Sequence, residues 1–212
     1  MSSAPSKAAP TAKRRSDGER RRDAILDAAL RCFNERGVLA VGIEDIRREA
    51  GASPSSVYNL FADLGEIIVA LLIRVFDALF AHLAARVGRT RTAEGAVKAL
   101  VDAHLEWIAE HPKEGAFMYQ AMTLAPRSAG PGGGALERLT AAKARALAPV
   151  VAHLGVFVER GEIPDWSPQL LDVVILGVAH EALRRWLSGA TELDPKKLRK
   201  SLPAIAWRSI RR

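Results

Sequence analysis

The stretch Ile46-Arg47-Arg48-Glu49-Ala50-Gly51-Ala52-Ser53-Pro54-Ser55-Ser56-Val57-Tyr58-Asn59-Leu60-Phe61 decides how the rest of the chain is read. Ile46 and Ala50 stand at i,i+4 on a first short helix, and Gly51 offers a backbone free to enter a left-handed turn. Ser53 then stands where an N-cap hydroxyl is wanted, and Pro54 at the first helical position, where its missing N–H costs nothing. Val57, Leu60 and Phe61 follow at i, i+3, i+4 and tie a second helix to a core. That spacing leaves Ser55, Ser56, Tyr58 and Asn59 outward, all polar and uncharged. This is the layout of a helix-turn-helix, whose second helix enters a DNA major groove. An ordinary helical hairpin has the same local pattern, so the remainder of the chain must discriminate.

Outward from that motif, the charge is uneven. The 212 residues carry a net charge of +7. Residues 1–22 hold seven Lys/Arg against Asp17 and Glu19, and residues 196–212 hold seven and no acid, which leaves −5 between them. A basic N-terminal arm, with Arg14, Arg15 and Arg20, suits phosphate and minor-groove contact; the plainer reading is a solubilising tail. Residues 1–16, rich in Ser, Ala, Pro and Lys, read as a disordered basic arm. Residues 17–64 then read as the helix-turn-helix DNA-binding domain, and residues 65–212 as a larger helical domain.

Helical periodicity continues to the C-terminus. A helix is expected from about Gly18 to Arg36, with Ile25, Ala29, Cys32 and Phe33 as its apolar stripe and Gly37 as its stop. A long apolar helix is expected over roughly Gly65 to Arg86. A fifth is capped by Thr92 and ends at His111-Pro112, and a sixth runs to about Thr123. Residues 124–134 read as a flexible link. Ala135 to Arg160 gives a seventh helix, bent near Pro149. Ser167-Pro168 opens an eighth, to about Ser188, and Asp194-Pro195 a last one that Pro203 could kink. No strand-like alternation appears, so the chain is all-α, about nine helices. The apolar runs 67–80 and 170–187 are interrupted by charges and do not read as membrane spans.

Enzyme chemistry finds little support. His82, His104, His111, His153 and His180 show no metal-ligand spacing, and Cys32 has neither a neighbouring base nor a helix N-terminus and reads as a core residue. The glycines at 130–134 lack the preceding strand and following Lys-Ser/Thr of a phosphate loop. No cofactor, metal or secretory signal is expected, and one cysteine fits a reducing cytosol.

Residues Arg22 to Leu72 resemble the N-terminal signature of the TetR/AcrR family of bacterial regulators. Ile25-Leu26-x-Ala28-Ala29 and Phe33-x-x-x-Gly37 are similar to its first helix. Asp45-Ile46 and Ala50-Gly51-Ala52-Ser53 are similar to its second helix and turn, and Val57-Tyr58-x-x-Phe61 to its recognition helix. The chain departs at Ile43, Arg47, Leu60 and Leu64, where the family commonly has Thr, Ala, His and Lys. Residues 23–61 sum to −2. Phosphate affinity therefore has to lean on the arm, on helix-start N–H groups and on hydroxyls.

The resemblance implies a cytoplasmic, nucleoid-associated homodimer that reads a near-palindromic operator, with residues 65–212 as the domain for ligand binding and dimerisation and a ligand cavity in each subunit. Ser55 and Asn59 are expected at base edges with Pro54 as an apolar contact, and Ser53, Ser56 and Tyr58 at phosphates. Phe76, Phe80, His104, Trp107, Met118, Tyr119, Met122 and His180 are the candidates for holding a small hydrophobic or aromatic effector, although such residues at helical spacing are also ordinary core. The eighth helix is apolar on nearly every side. Leu171, Val174, Ile175 and Val178, with Leu202 and Ile205 of the last helix, are therefore expected at a subunit interface. Trp166 and Trp186 read as packing or interface residues. The rival reading is a helical small-molecule or protein-binding module with weak or lost DNA binding.

Overall fold

The structure is a computed structural model that describes residues 10–128 and 134–211. Every regular element among them is helical: α1 (Pro10–Arg36), α2 (Ile43–Glu49), α3 (Pro54–Tyr58), α4 (Leu64–Val87), α5 (Ala93–Glu110), α6 (Pro112–Ser128), α7 (Gly134–Glu159), α8 (Pro168–Leu187), α9 (Pro195–Leu198) and α10 (Leu202–Ile210). Short 3-10 turns occupy Val38–Ala40 and Thr191–Leu193.

Three boundaries differ from the sequence expectations. The first helix begins at Pro10 rather than Gly18, so the basic stretch 10–16, read as disordered, continues α1; Ala12, Lys13, Arg14 and Arg15 are all good helix formers. Residues 1–9 of the expected arm lie outside the described residues. The sixth helix runs on to Ser128, which shortens the glycine-rich link, and 129–133 lie outside the described residues. The expected last helix is two helices. Pro203 has no N–H for the carbonyl of Arg199, and its ring crowds that carbonyl, so α9 stops and α10 restarts with the proline in its first turn. Pro149 sits inside α7 without interrupting it.

The three-helix head is closed by Ile25, Leu26, Ala29, Cys32 and Phe33 of α1 against Ile46, Val57 and Phe61, all buried. Head and body share one apolar core, because α4 leaves the head and enters the body. Ile67, Leu71, Leu72, Leu79 and Leu83 along it are fully buried. α4 and α7 are both long and apolar enough to cross a membrane. The apolar surface of α4 is covered by α1, α5, α6 and α7 instead. Ion pairs also fasten it: Arg74 to Asp27 of α1 at 2.8 Å, Arg86 to Asp102 and Glu106 of α5 at 3.1 and 3.0 Å, and Glu66 to Arg138 of α7 at 2.8 Å.

Candidate nucleic-acid interface and effector cavity

The turn of the head is built by local chemistry. Gly51 takes φ +60°, and the Ala52 amide closes the turn on the Arg47 carbonyl at 3.0 Å. The Arg47 side chain folds over the same turn. Its Nη1 donates to the Ala52 carbonyl at 3.1 Å and its Nε to Glu44 at 2.7 Å. A large residue is thus accommodated between the two helices by crossing the turn rather than separating them. Ser53 caps α3: its Oγ accepts the Ser56 amide at 3.2 Å and lies 3.1 and 2.9 Å from the hydroxyls of Ser55 and Ser56.

The outer surface of α3 is as the sequence predicts in residue content. Ser53, Pro54, Ser55, Tyr58 and Asn59 are exposed, Tyr58 by 51%, and Ser56 is half-buried. Leu60 and Leu64 pack against the core. After α3, Asp63 caps α4 by accepting the Glu66 amide at 2.8 Å, and Glu66 reciprocates by accepting the Ala62 amide at 2.9 Å. The bond from the Ala62 amide, with Arg138 beside it, holds the Glu66 carboxyl below the usual carboxylate range.

Electrostatics explain the weak charge of this face. All four arginines of residues 23–61 pair with carboxylates of the same module: Arg31 with Glu49, Arg36 and Arg48 with Asp45, and Arg47 with Glu44. On α1, Arg20 pairs with Asp17, and the Arg22 guanidinium lies 5.4 Å from the centroid of the Phe61 ring. Arg14 and Arg15 fall on the N-terminal turns of α1.

In the body, α4, α5, α6, α7 and α8 enclose a cavity of about 430 Å³. Phe76, Phe80, His104, Met118, Tyr119, Met122 and His180 all line it. Trp107 does not. It is buried elsewhere, stacked 4.5 Å from the His111 ring one turn along α5. Leu171 and Ile175 also face the cavity, and Leu202 is buried within the subunit, so these three do not belong to an outer face. The outward apolar residues of α8 are Leu170, Val173 and Val178, the last two 64% and 60% exposed, with Val174 half-buried; Ile205 is exposed on α10.

Sequence reasoning missed one whole wall. Leu147, Val150, Val151 and Leu154 of α7 line the cavity, as does Trp166, which reads from sequence as a packing or interface residue. Lys143, Glu159, Asp165 and Asp172 add the charged groups. Asp172 was legible in principle, as the one acid in an otherwise apolar half-helix.

The inner polar groups touch one another. His104 Nε2 pairs with the Tyr119 hydroxyl at 3.2 Å, and the His180 ring stands edge-on to His104 at 4.8 Å between centroids. Burial pushes the His104 imidazole well down, with His180 adding to the effect. Burial likewise lowers His180, against the opposing pull of Asp172. It raises the Tyr119 phenol, so all three are neutral near pH 7.

The described chain is therefore a two-part helical molecule: a helix-turn-helix head on a hollow helical body. Residues 25–71 match the model of the tetR family of bacterial regulatory proteins. The HTH-type transcriptional regulator BetI of Brucella anthropi is 33% identical over 81 residues, which span 38% of this chain and 42% of that relative. A TetR family transcription regulator from Marinobacter aquaeolei superposes with a TM-score of 0.73 at 18% identity, covering 94% of this chain and 98% of the other. FadR of Bacillus subtilis, solved in complex with stearoyl-CoA, gives 0.67 at 18% identity, covering 88% and 98%. Residues 25–71 therefore form the N-terminal domain of the tetR family, and the whole chain has the fold of that family's solved members. It spans less than half the length of the BetI relative it matches.

Proposed function

We propose that the chain is a ligand-responsive transcriptional repressor. It binds a near-palindromic operator as a homodimer through α3 and the N-terminal basic segment, and a small apolar or aromatic effector in the body cavity releases it. It acts in the cytoplasm, on the nucleoid. The observation that carries the reading is the position of α6. Met118, Tyr119 and Met122 line the cavity, while Phe117 beside them stacks on Phe33 of the head at 5.4 Å. A ligand that moves α6 must move or strain that stack. A coupling of about 1–3 kcal/mol changes DNA affinity roughly 5- to 150-fold. FadR, with its stearoyl-CoA, is a protein of this fold that holds a small-molecule ligand.

Exposed Val173, Val178 and Ile205 supply an apolar surface for the second subunit. Dimerisation places two recognition helices in successive major grooves about one turn apart. The paired arginines and the −2 charge of residues 23–61 favour a second reading, a helical ligand-binding module with weak DNA binding. A mobility shift on the promoter fragment beside the protein's own gene separates the two. A retarded band that weakens steeply with salt supports the repressor, and no shift at low salt rejects it.

A further inference from the structure

We propose that the cavity selects an uncharged, largely apolar molecule with one hydrogen-bonding oxygen, a hydroxyl or a carbonyl, seated against His104, Tyr119 and His180. The inference rests on the cavity being the effector site and names the chemistry that site accepts.

The apolar body follows from the walls. Phe76 and Phe80 stack at 5.6 Å on one side, and α7 and α8 present aliphatic side chains on the other. A volume of about 430 Å³ is that of a small-molecule site. The oxygen follows from the polar cluster. His104 is 2% exposed, and its Nδ1 is buried with no hydrogen-bond partner. Its Nε2 is already engaged by the Tyr119 hydroxyl, which keeps further donor and acceptor capacity of its own. His180 stands beside both rings, 4.8 Å from His104 and 6.0 Å from Tyr119. Buried groups with unfilled hydrogen-bonding capacity reward a ligand that supplies the missing partner.

The absence of charge follows from the same residues. Three neutral groups offer no counter-ion to a carboxylate or an ammonium, and a charge drawn out of water without one is strongly disfavoured. Among the described residues Lys143 is the single Lys or Arg on the cavity wall, with its Nζ 5.8 Å from the Phe76 ring centroid. Glu159, Asp165 and Asp172 line the same cavity, so its balance opposes an anion. A cation gains carboxylates but gives up its hydration against apolar walls and neutral imidazoles.

Titration calorimetry of the full chain at pH 8 tests this with three ten-carbon probes below their aggregation limits: decan-1-ol, decanoate and decylammonium. The expected result is that decan-1-ol binds at least about tenfold more tightly than either ion. Tyr119→Phe, with His180→Gln as a second variant, should weaken decan-1-ol about fivefold, folding being checked by circular dichroism. Decanoate or decylammonium binding as tightly as the alcohol overturns the inference and leaves the cavity as effector site. Undiminished alcohol binding in both folded variants overturns it too. Binding of none of the three by the unmodified chain overturns both the inference and the effector-site reading.

Discussion

The Phe117 ring of α6 lies flat on the Phe33 ring of α1, 5.4 Å apart and 11° from parallel. Both are essentially fully buried. This stack joins the helix-turn-helix head to a helix whose neighbouring residues line the cavity. Phe117→Ala removes it and leaves a void, at a cost of about 3–5 kcal/mol. Chemical denaturation should show that loss. In the milder Phe117→Leu, effector should release DNA less completely than in the unmodified chain, and an unchanged response shows that coupling runs elsewhere.

Ser53 separates folding from recognition. Ser53→Ala loses the cap of α3 and costs about 1 kcal/mol. Ser53→Asp keeps a capping oxygen but sets a carboxylate against the phosphates. Its melting temperature should match the unmodified chain while its DNA affinity falls. Equal DNA affinity for Ser53→Asp removes Ser53 from the interface.

The four arginines of residues 23–61 are paired with carboxylates, so the N-terminal segment is the expected source of the positive charge that meets the phosphates. Deleting residues 1–16 removes Lys7, Lys13, Arg14 and Arg15. Binding should weaken on every sequence, and the slope of log K against log salt should flatten by about 0.9 for each phosphate that is no longer neutralised. Asn59→Ala should instead relax preference at individual operator positions and leave that slope unchanged.

Val178 tests the subunit interface. At 60% exposure it has little role in its own subunit's packing. Val178→Glu should leave the circular dichroism spectrum and unfolding midpoint of the monomer intact while shifting sedimentation to the single-chain mass. A variant that still sediments as a dimer moves the interface away from α8.

The buried imidazoles make stability fall with acid. Above about pH 6.5, the ordinary histidine value, His104 is neutral in both folded and unfolded chains. As pH falls below it, the unfolded chain binds a proton that the folded chain refuses, so stability drops until the lowered folded value is reached. His180 acts in the same direction, with Asp172 opposing and Lys143 reinforcing. Denaturation midpoints between pH 7.5 and 5 should show a slope that His104→Gln reduces.

Legibility in the sequence tracks the range of the interactions. Gly51, Ser53 and Pro54 announce the turn because a left-handed backbone, a cap and an N1 proline are satisfied within a few residues. His104 and Tyr119 were identifiable as polar groups on apolar helices, and the fold brings them to 3.2 Å. Trp107 shares a helix with His104 and has the same composition cues, yet its ring is taken by His111. The α7 wall carried no distinguishing signal, since aliphatic residues lining a cavity have the same periodicity as aliphatic residues filling a core.

Local pattern in this chain fixes an all-helical protein, a helix-turn-helix near its start, and a head with little net positive charge. Helix α8 shows what pattern cannot reach. Leu170, Leu171, Val173, Val174, Ile175 and Val178 are equally apolar, so a 3.6-residue period marks no inner face. Packing against α5, α6 and α10 makes the choice. It turns Leu171, Asp172 and Ile175 onto the cavity and leaves Val173 and Val178 facing out. Burial is a property of neighbours distant in the chain, and only their assembled positions separate a cavity wall from an outward apolar face.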